Sequence, residues 1–172
     1  MATMTDKKAT LTLRGEDQIL VTREFDAPKH LVYEAWTTPE LVARWWTARR
    51  GQARSMEIDL RVGGKWRYVM DADNGQEVAF HGEYKEIVPD QRIVSTEVYE
   101  GAPLPPEELE ASATLNTVTF DEEDGRTKMT MLIQCPSNEV REAIVASGME
   151  AGLQDALELL EEVAQELGSP SD

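Results

Sequence analysis

The sequence predicts an α+β protein: a curved antiparallel sheet of about seven strands, two short helices after the first strand, and a long C-terminal helix over the concave face. Three observations carry this expectation. From residue 54 onward, apolar and polar residues alternate in short runs, most of them ended by Gly, Asn or Pro turn signals. Between residues 28 and 46 the apolar residues fall at helical spacing instead. After Ser137 an amphipathic stretch continues to about Leu167, and thirty residues of helix would be ~45 Å long. A seven-stranded meander twists and curls, and a long amphipathic helix is its natural cover.

The first strand spans Leu11 to Phe25, with a turn signal at Arg14-Gly15-Glu16 and a β-prone run Ile19-Leu20-Val21-Thr22. Pro28 suits the first position of a helix, where its missing N–H costs nothing. Leu31, Val32, Ala35 and Trp36 then share one apolar face. Thr38 is placed to cap a second helix through Pro39, whose apolar side holds Leu41, Val42, Trp45 and Trp46. Hairpins follow. Residues 54–62 put Met56, Ile58 and Leu60 on one face, Gly63-Gly64 reads as a two-residue turn, and residues 65–71 put Trp66, Tyr68 and Met70 together. Asn74-Gly75 is the strongest hairpin signal. Strands at 77–88 and 92–99 flank Pro89-Asp90. Residues 100–112, Pro-rich and acidic, read as a long loop with at most one helical turn, and loops of that length often act as lids. Strands at 114–120 and 126–134 flank Asp124-Gly125, and the second aligns Thr127, Met129, Met131 and Ile133. The division is a tail at 1–10, one domain at 11–167, and a tail at 168–172.

Composition narrows the function. The 172 residues hold 33 acidic and 17 basic side chains, a formal charge of −16. So acidic a chain is repelled by phosphate backbones and anionic membranes, so neither nucleic acid nor a membrane is an expected partner. The single cysteine, Cys135, excludes an internal disulfide and reads as a small packed residue. His30 and His81 are far apart, and no His or Cys pair has zinc-ligand spacing. No apolar run approaches ~18 residues, and MATMTDKKAT lacks the apolar core of a secretory signal, so the cytoplasm is the default location. No nucleophile elbow, phosphate loop or dinucleotide fingerprint is present. The acidic runs at 107–110 and 121–124 read as solvated loops.

The element order resembles the START-like, or SRPBCC, helix-grip fold shared with the birch-pollen-allergen type. Three stretches resemble bacterial proteins related to the C-terminal domain of the heat-shock-protein-90 ATPase activator. They are VTREFDAPKHLVYEAWTTPELVARWW at 21–46, VGGKWRYVM at 62–70 continued by HGEYKEIVPDQRIVSTE at 81–97, and GMEAGLQDALELLEEV at 148–163. The resemblance runs from about residue 11 to 167. It departs at Leu153, where many relatives carry Trp. It implies a cavity between the sheet and the final helix. The superfamily includes lipid and polyketide binders, cyclases, hydrolases and a co-chaperone domain, and the resemblance implies no catalytic motif and no cofactor.

Within such a fold the inward faces nominate a ligand-binding set: Trp45, Trp46, Trp66, Tyr68, Met70, Phe80, Glu97, Tyr99, Met129, Met131, Met149 and Leu153. Aromatic walls supply apolar area with polar handles, and methionines adapt to varied shapes. The plain alternative is that these residues fill a core. Gly148 and Gly152 each cost roughly 1 kcal/mol relative to Ala within a helix, which close packing, pocket space or simple tolerance would each explain. His81 and Glu83 could pair as acid and base, but Phe80 and Tyr84 are the inward alternates, so His81, Glu83 and Arg67 are expected outside. Arg44, Arg49, Arg50 and Arg54 form a basic cluster that either attracts an anionic ligand or is solvated. The leading expectation is binding of an apolar or aromatic small molecule, lipid or polyketide-like. The alternatives are a cyclase, dehydratase or hydrolase using Glu97 or Tyr99, and a co-chaperone-like domain with a chaperone partner. Exposed sheet edges allow a homodimer.

Overall fold

The computed structural model describes residues 8–169. Its elements, in chain order, are β1 (Thr10–Arg14), β2 (Gln18–Phe25), α1 (Lys29–Thr37), α2 (Pro39–Trp45), β3 (Gly51–Ile58), β4 (Lys65–Ala72), β5 (Glu77–Val88), β6 (Arg92–Tyr99), α3 (Pro106–Ala111), β7 (Thr114–Glu123), β8 (Arg126–Gln134), α4 (Asn138–Ala146) and α5 (Met149–Gly168). All strands pair antiparallel in one open sheet, ordered β1-β2-β8-β7-β6-β5-β4-β3. The two helices after β2 let the chain cross to the far edge, and the meander then returns until β8 lies beside β2. Register shifts at Ala53/Ser55 and Tyr84/Glu86 add local twist where the sheet curls.

The strand count is eight because the expected first strand is a hairpin, β1 paired with β2, turned at Gly15 with φ +57. The Gly63-Gly64 turn is wider than two residues. β3 ends at Ile58, and the segment to Gly64 is held by Gly63 N–H donating to the Tyr84 carbonyl at 2.8 Å. Leu60 and Val62 are consequently exposed rather than on the inner face. The amino-terminal tail is shorter than expected where it is described. Ala9 is buried, its N–H donates to Gln154 Oε1 at 2.9 Å and its carbonyl accepts from Gln154 Nε2 at 2.8 Å. Residues 1–7 and 170–172 lie outside the described residues, while Gly168 ends α5.

The long C-terminal helix is two helices. Ser137 caps α4, its side chain accepting from Val140 N–H at 3.2 Å. α4 stops at Ala146, and Gly148 adopts φ +85 before α5 begins. A left-handed glycine just past a helix end is a common terminator. α5 has one strongly apolar face. Leu157, Leu160, Val163 and Ala164 are buried against Ile19, Val21, Phe25, Phe120 and Met129 in the core on the concave side. α1 and α2 flank this half of α5.

The convex face carries its own small structure. By alternation Val69, Ala79 and Val98 lie on the face opposite Tyr68, Phe80 and Glu97, and all three are buried. The 100–112 segment folds against this side as α3, which contacts β6. Arg67 grips Glu100 with two hydrogen bonds of 2.9 Å, and His81 lies 2.8 Å from Glu100 through Nδ1 and 2.7 Å from Glu110 through Nε2. Two carboxylates on the two ring nitrogens are both satisfied only by the imidazolium, which has two donors. The helix of this segment is therefore pinned across the sheet from the concave side, and it is not a lid.

Two stability predictions follow from these geometries. A Cβ at Gly148 or Gly152 meets nothing within 4 Å, so close packing is not why either is glycine. Gly148→Ala should cost about 1–2 kcal/mol for forcing alanine into the left-handed region, while Gly152→Ala should gain up to ~1 kcal/mol of helix propensity. Urea unfolding of both variants checks the opposite signs. The second concerns α3. Arg67 hydrogen bonding, opposed by partial burial and aided by His81, holds the Glu100 carboxyl down at about 2. That contribution is present above its ordinary value of 4.5 and is lost as pH falls toward 2. Burial works to lower the His81 pKa, but the hydrogen bonds to Glu100 and Glu110 outweigh it and raise it. The His81 contribution is therefore full below 6.5 and lost as pH rises through the raised value. Hydrogen-exchange protection of α3, corrected for intrinsic rates, should peak between these limits and fall again as pH rises through the His81 transition. His81→Gln should flatten the alkaline side, and a wild-type profile already flat there would refute the assignment.

Candidate functional site

A cavity of about 350 Å³ lies between the curled sheet and the amino-terminal half of α5. α5 is buried in the core from about Leu157 onward. Before it, Met149, Gly152, Leu153 and Ala156 line the cavity. The opposite wall is aromatic. Trp66 and Tyr68 on β4, Phe80 and Tyr84 on β5, and Trp46 just after α2 line it. These rings rest on one another, with centroids 4.7 Å apart for Trp66–Tyr68, 5.4 Å for Trp46–Tyr68 and 5.7 Å for Trp46–Phe80. Stiff rings in mutual contact hold the wall open where flexible side chains could collapse inward.

Ten of the twelve nominated residues line this space: Trp45, Trp46, Trp66, Tyr68, Met70, Phe80, Glu97, Met131, Met149 and Leu153. Two do not. Met129 is fully buried in the core beside Phe120, beyond the end of the cavity. There α1 closes over the sheet, with Tyr33 and Trp36 packing edge-on to Phe120 at 6.0 and 5.9 Å. Tyr99 shares the inward face with Phe80 and stacks on it at 5.1 Å, but it sits at the strand end and is 45% exposed. Four residues that matter were not nominated: Trp36, Tyr84, Ser95 and Asn116. Asn116 had a readable signal. It alternates with Val118 and Phe120, a polar residue on an inward face.

The cavity has one polar corner. Glu97 projects into it from β6. Glu97 Oε2 accepts from Asn116 Nδ2 at 2.6 Å, and Asn116 Oδ1 accepts from Thr114 Oγ1 at 2.9 Å. The threonine thereby fixes which way the amide points. Burial pushes the Glu97 carboxyl pKa up, and the Asn116 bond only partly offsets it. Burial also raises the Tyr68 and Tyr84 phenols, which lie near each other in the wall. Trp45 and Trp66 differ. Trp45 Nε1–H donates to the Ala35 carbonyl at 2.9 Å, whereas Trp66 Nε1–H is buried and finds no acceptor among the described residues. The Trp66 ring lies over Gly82, where a Cβ would come within 2.5 Å of Nε1 and 1.8 Å of the Thr96 carbonyl oxygen. Glycine at 82 is what lets the indole reach its place.

The basic cluster is committed to carboxylates. Arg44 pairs with Glu166, Arg49 with Asp155 and Glu158 at 3.9 and 3.8 Å, Arg50 with Asp155 at 2.8 Å, and Arg54 with Asp71 and Glu77. Arg49 and Arg50 tie the loop at the cavity mouth to α5. That loop holds Ala48 and Arg49 at φ 52 and 63, a strained pair for residues with side chains. His81 and Arg67 lie outside, as their strand alternation indicates. Burial raises the Cys135 thiol, away from a reactive thiolate. No helix among the described residues is long and apolar enough to cross a membrane.

Solved structures share this architecture. A Rhodobacter sphaeroides protein superposes with a TM-score of 0.82 at 21% identity, covering 92% of this chain and 99% of that one. An Arthrobacter aurescens protein gives 0.79 at 25% identity, covering 95% and 93%. A Chromobacterium violaceum protein gives 0.74 at 26% identity, covering 87% and 98%. Comparison with curated proteins finds no significant match. The family model described as Activator of Hsp90 ATPase homolog 1-like protein matches residues 26–165. With its eight-stranded helix-grip architecture and a match over most of its length, the chain belongs to that family.

Proposed function

We propose that this protein binds an apolar, largely aromatic small molecule in the cavity beneath α5. The observation that carries the proposal is the aromatic wall standing around about 350 Å³ of space. A core under no other demand closes such space, because interiors pack to crystal-like density and each void forfeits contacts. The volume is at the low end of the roughly 300–1,000 Å³ of small-molecule pockets, which favours a compact ring system over a two-chain lipid. Binding would bury apolar ligand surface against Trp46, Trp66, Tyr68 and Phe80. The likeness to a superfamily that includes lipid and polyketide binders points the same way.

Native mass spectrometry of freshly purified protein, followed by release of anything bound, identifies the ligand class. Trp66→Ala and Tyr68→Ala should each weaken the recovered ligand by tenfold or more, about 1.4 kcal/mol, with the fold retained by circular dichroism. Leu153→Trp places a large ring where α5 roofs the cavity and should abolish binding without lowering stability. Unchanged affinity in Trp66→Ala and Leu153→Trp, both folded, would exclude this cavity as the binding site.

A further inference from the structure

We infer that Glu97 is the cavity's polar anchor and selects an uncharged ligand bearing a hydroxyl group, of the phenol or aromatic-alcohol class, against carboxylates. This rests on the cavity being a ligand site. Only one of the two Glu97 oxygens is used by the protein. Oε2 takes the Asn116 amide, and Oε1 accepts no hydrogen bond from the described residues. The Thr114–Asn116 chain holds the carboxyl in one orientation, so Oε1 is a positioned acceptor rather than a mobile one. The Trp66 indole N–H is packed against the Gly82 backbone and is closed to a ligand, so Glu97 is the group that offers the polar contact.

A hydroxyl matches that acceptor, because it donates its one proton to Glu97 Oε1. A carboxylate does not match. It has no proton to give Glu97 Oε1, and its charge would be buried with no free cation among the described lining residues to offset it. Arg50, the one basic residue in the lining, is engaged by Asp155 at 2.8 Å and by the Ala48 carbonyl at 2.7 Å. An ammonium carries more protons than Glu97 Oε1 can accept, and it must shed its hydration shell for a single buried acid, an exchange that seldom breaks even. Burial, which favours the neutral carboxyl of Glu97, weakens the case for an ammonium further.

Calorimetric titration with four probes on one ring system tests this: naphthalene, 2-naphthol, 2-naphthoate and 2-naphthylmethylammonium, at pH 7.5. For the wild type, 2-naphthol should bind at least about tenfold more tightly than naphthalene, and 2-naphthoate should bind weakest. Glu97→Met keeps the volume and should bring naphthol and naphthalene to within about twofold of each other. Glu97→Gln, the milder variant, should admit 2-naphthoate more than fivefold better. Equal wild-type affinity for naphthol and naphthalene, a naphthol preference that survives Glu97→Met, or tightest binding by the carboxylate or ammonium would each overturn the anchor and leave apolar binding standing. Failure of all four to bind would overturn the proposed function and the anchor with it.

Discussion

The seating of α5 on the sheet determines what the rest of the molecule can be. Its carboxyl-terminal half contributes Leu157, Leu160, Val163 and Ala164, none more than 2% exposed, to the largest apolar cluster. Arg23, itself buried, lies beneath this half, 3.5 Å from Glu161 and over the Phe25 ring at 4.8 Å. The other half, through Met149, Gly152 and Leu153, lines the cavity instead. The left-handed Gly148 separates α4 from α5 and so sets where this half begins.

A cavity persists only if its walls cannot relax into it. Here it is walled by Trp46, Trp66, Tyr68 and Phe80, each braced by a neighbouring ring. Gly82 allows the tightest of these contacts, because any larger residue would meet the Trp66 ring and the Thr96 carbonyl together. The roof contrasts with the wall. It is made of Met149, Gly152, Leu153 and Ala156, which are small or flexible. Rigid wall and adaptable roof divide the cavity into a side that sets ligand shape and a side that accommodates it.

Much of this was legible in the sequence, and the failures share a cause. Alternation along β4, β5 and β6 identified which residues face inward, and Trp66, Tyr68, Phe80 and Glu97 do so. Alternation cannot say how far along a strand the covering helix reaches. Met129 and Tyr99 face the right way, but one lies under α1 and the other at the strand's end. The same limit hid the role of residues 100–112. Their Pro-rich acidic composition marks a loop, but only the pairing of His81 and Arg67 with Glu100 and Glu110 shows which face it covers. The basic cluster is exposed, but its pairing was hidden, because sequence distance conceals α5, more than a hundred residues away, whose carboxylates neutralise Arg49 and Arg50.

The charge pattern gives the cavity its character as much as its shape does. A chain of net charge −16 repels anions at long range. The arginines of the basic cluster do not reverse this, because each is already matched to a carboxylate of α5 or of the neighbouring hairpin. Exposed pairs of this sort contribute little stability, so their main effect is to leave the entrance without free positive charge. Inside, the lining carries an acid, Glu97, braced by Asn116 and Thr114 on strand β7. β6 carries this acid on its inner face and Val98 on its outer face, where α3 is clamped. The strand therefore cannot shift to relieve the burial of Glu97 without disturbing packing on both sides of the sheet. The cost of burying that carboxyl is imposed by the fold, and a ligand that hydrogen-bonds to it lowers that cost.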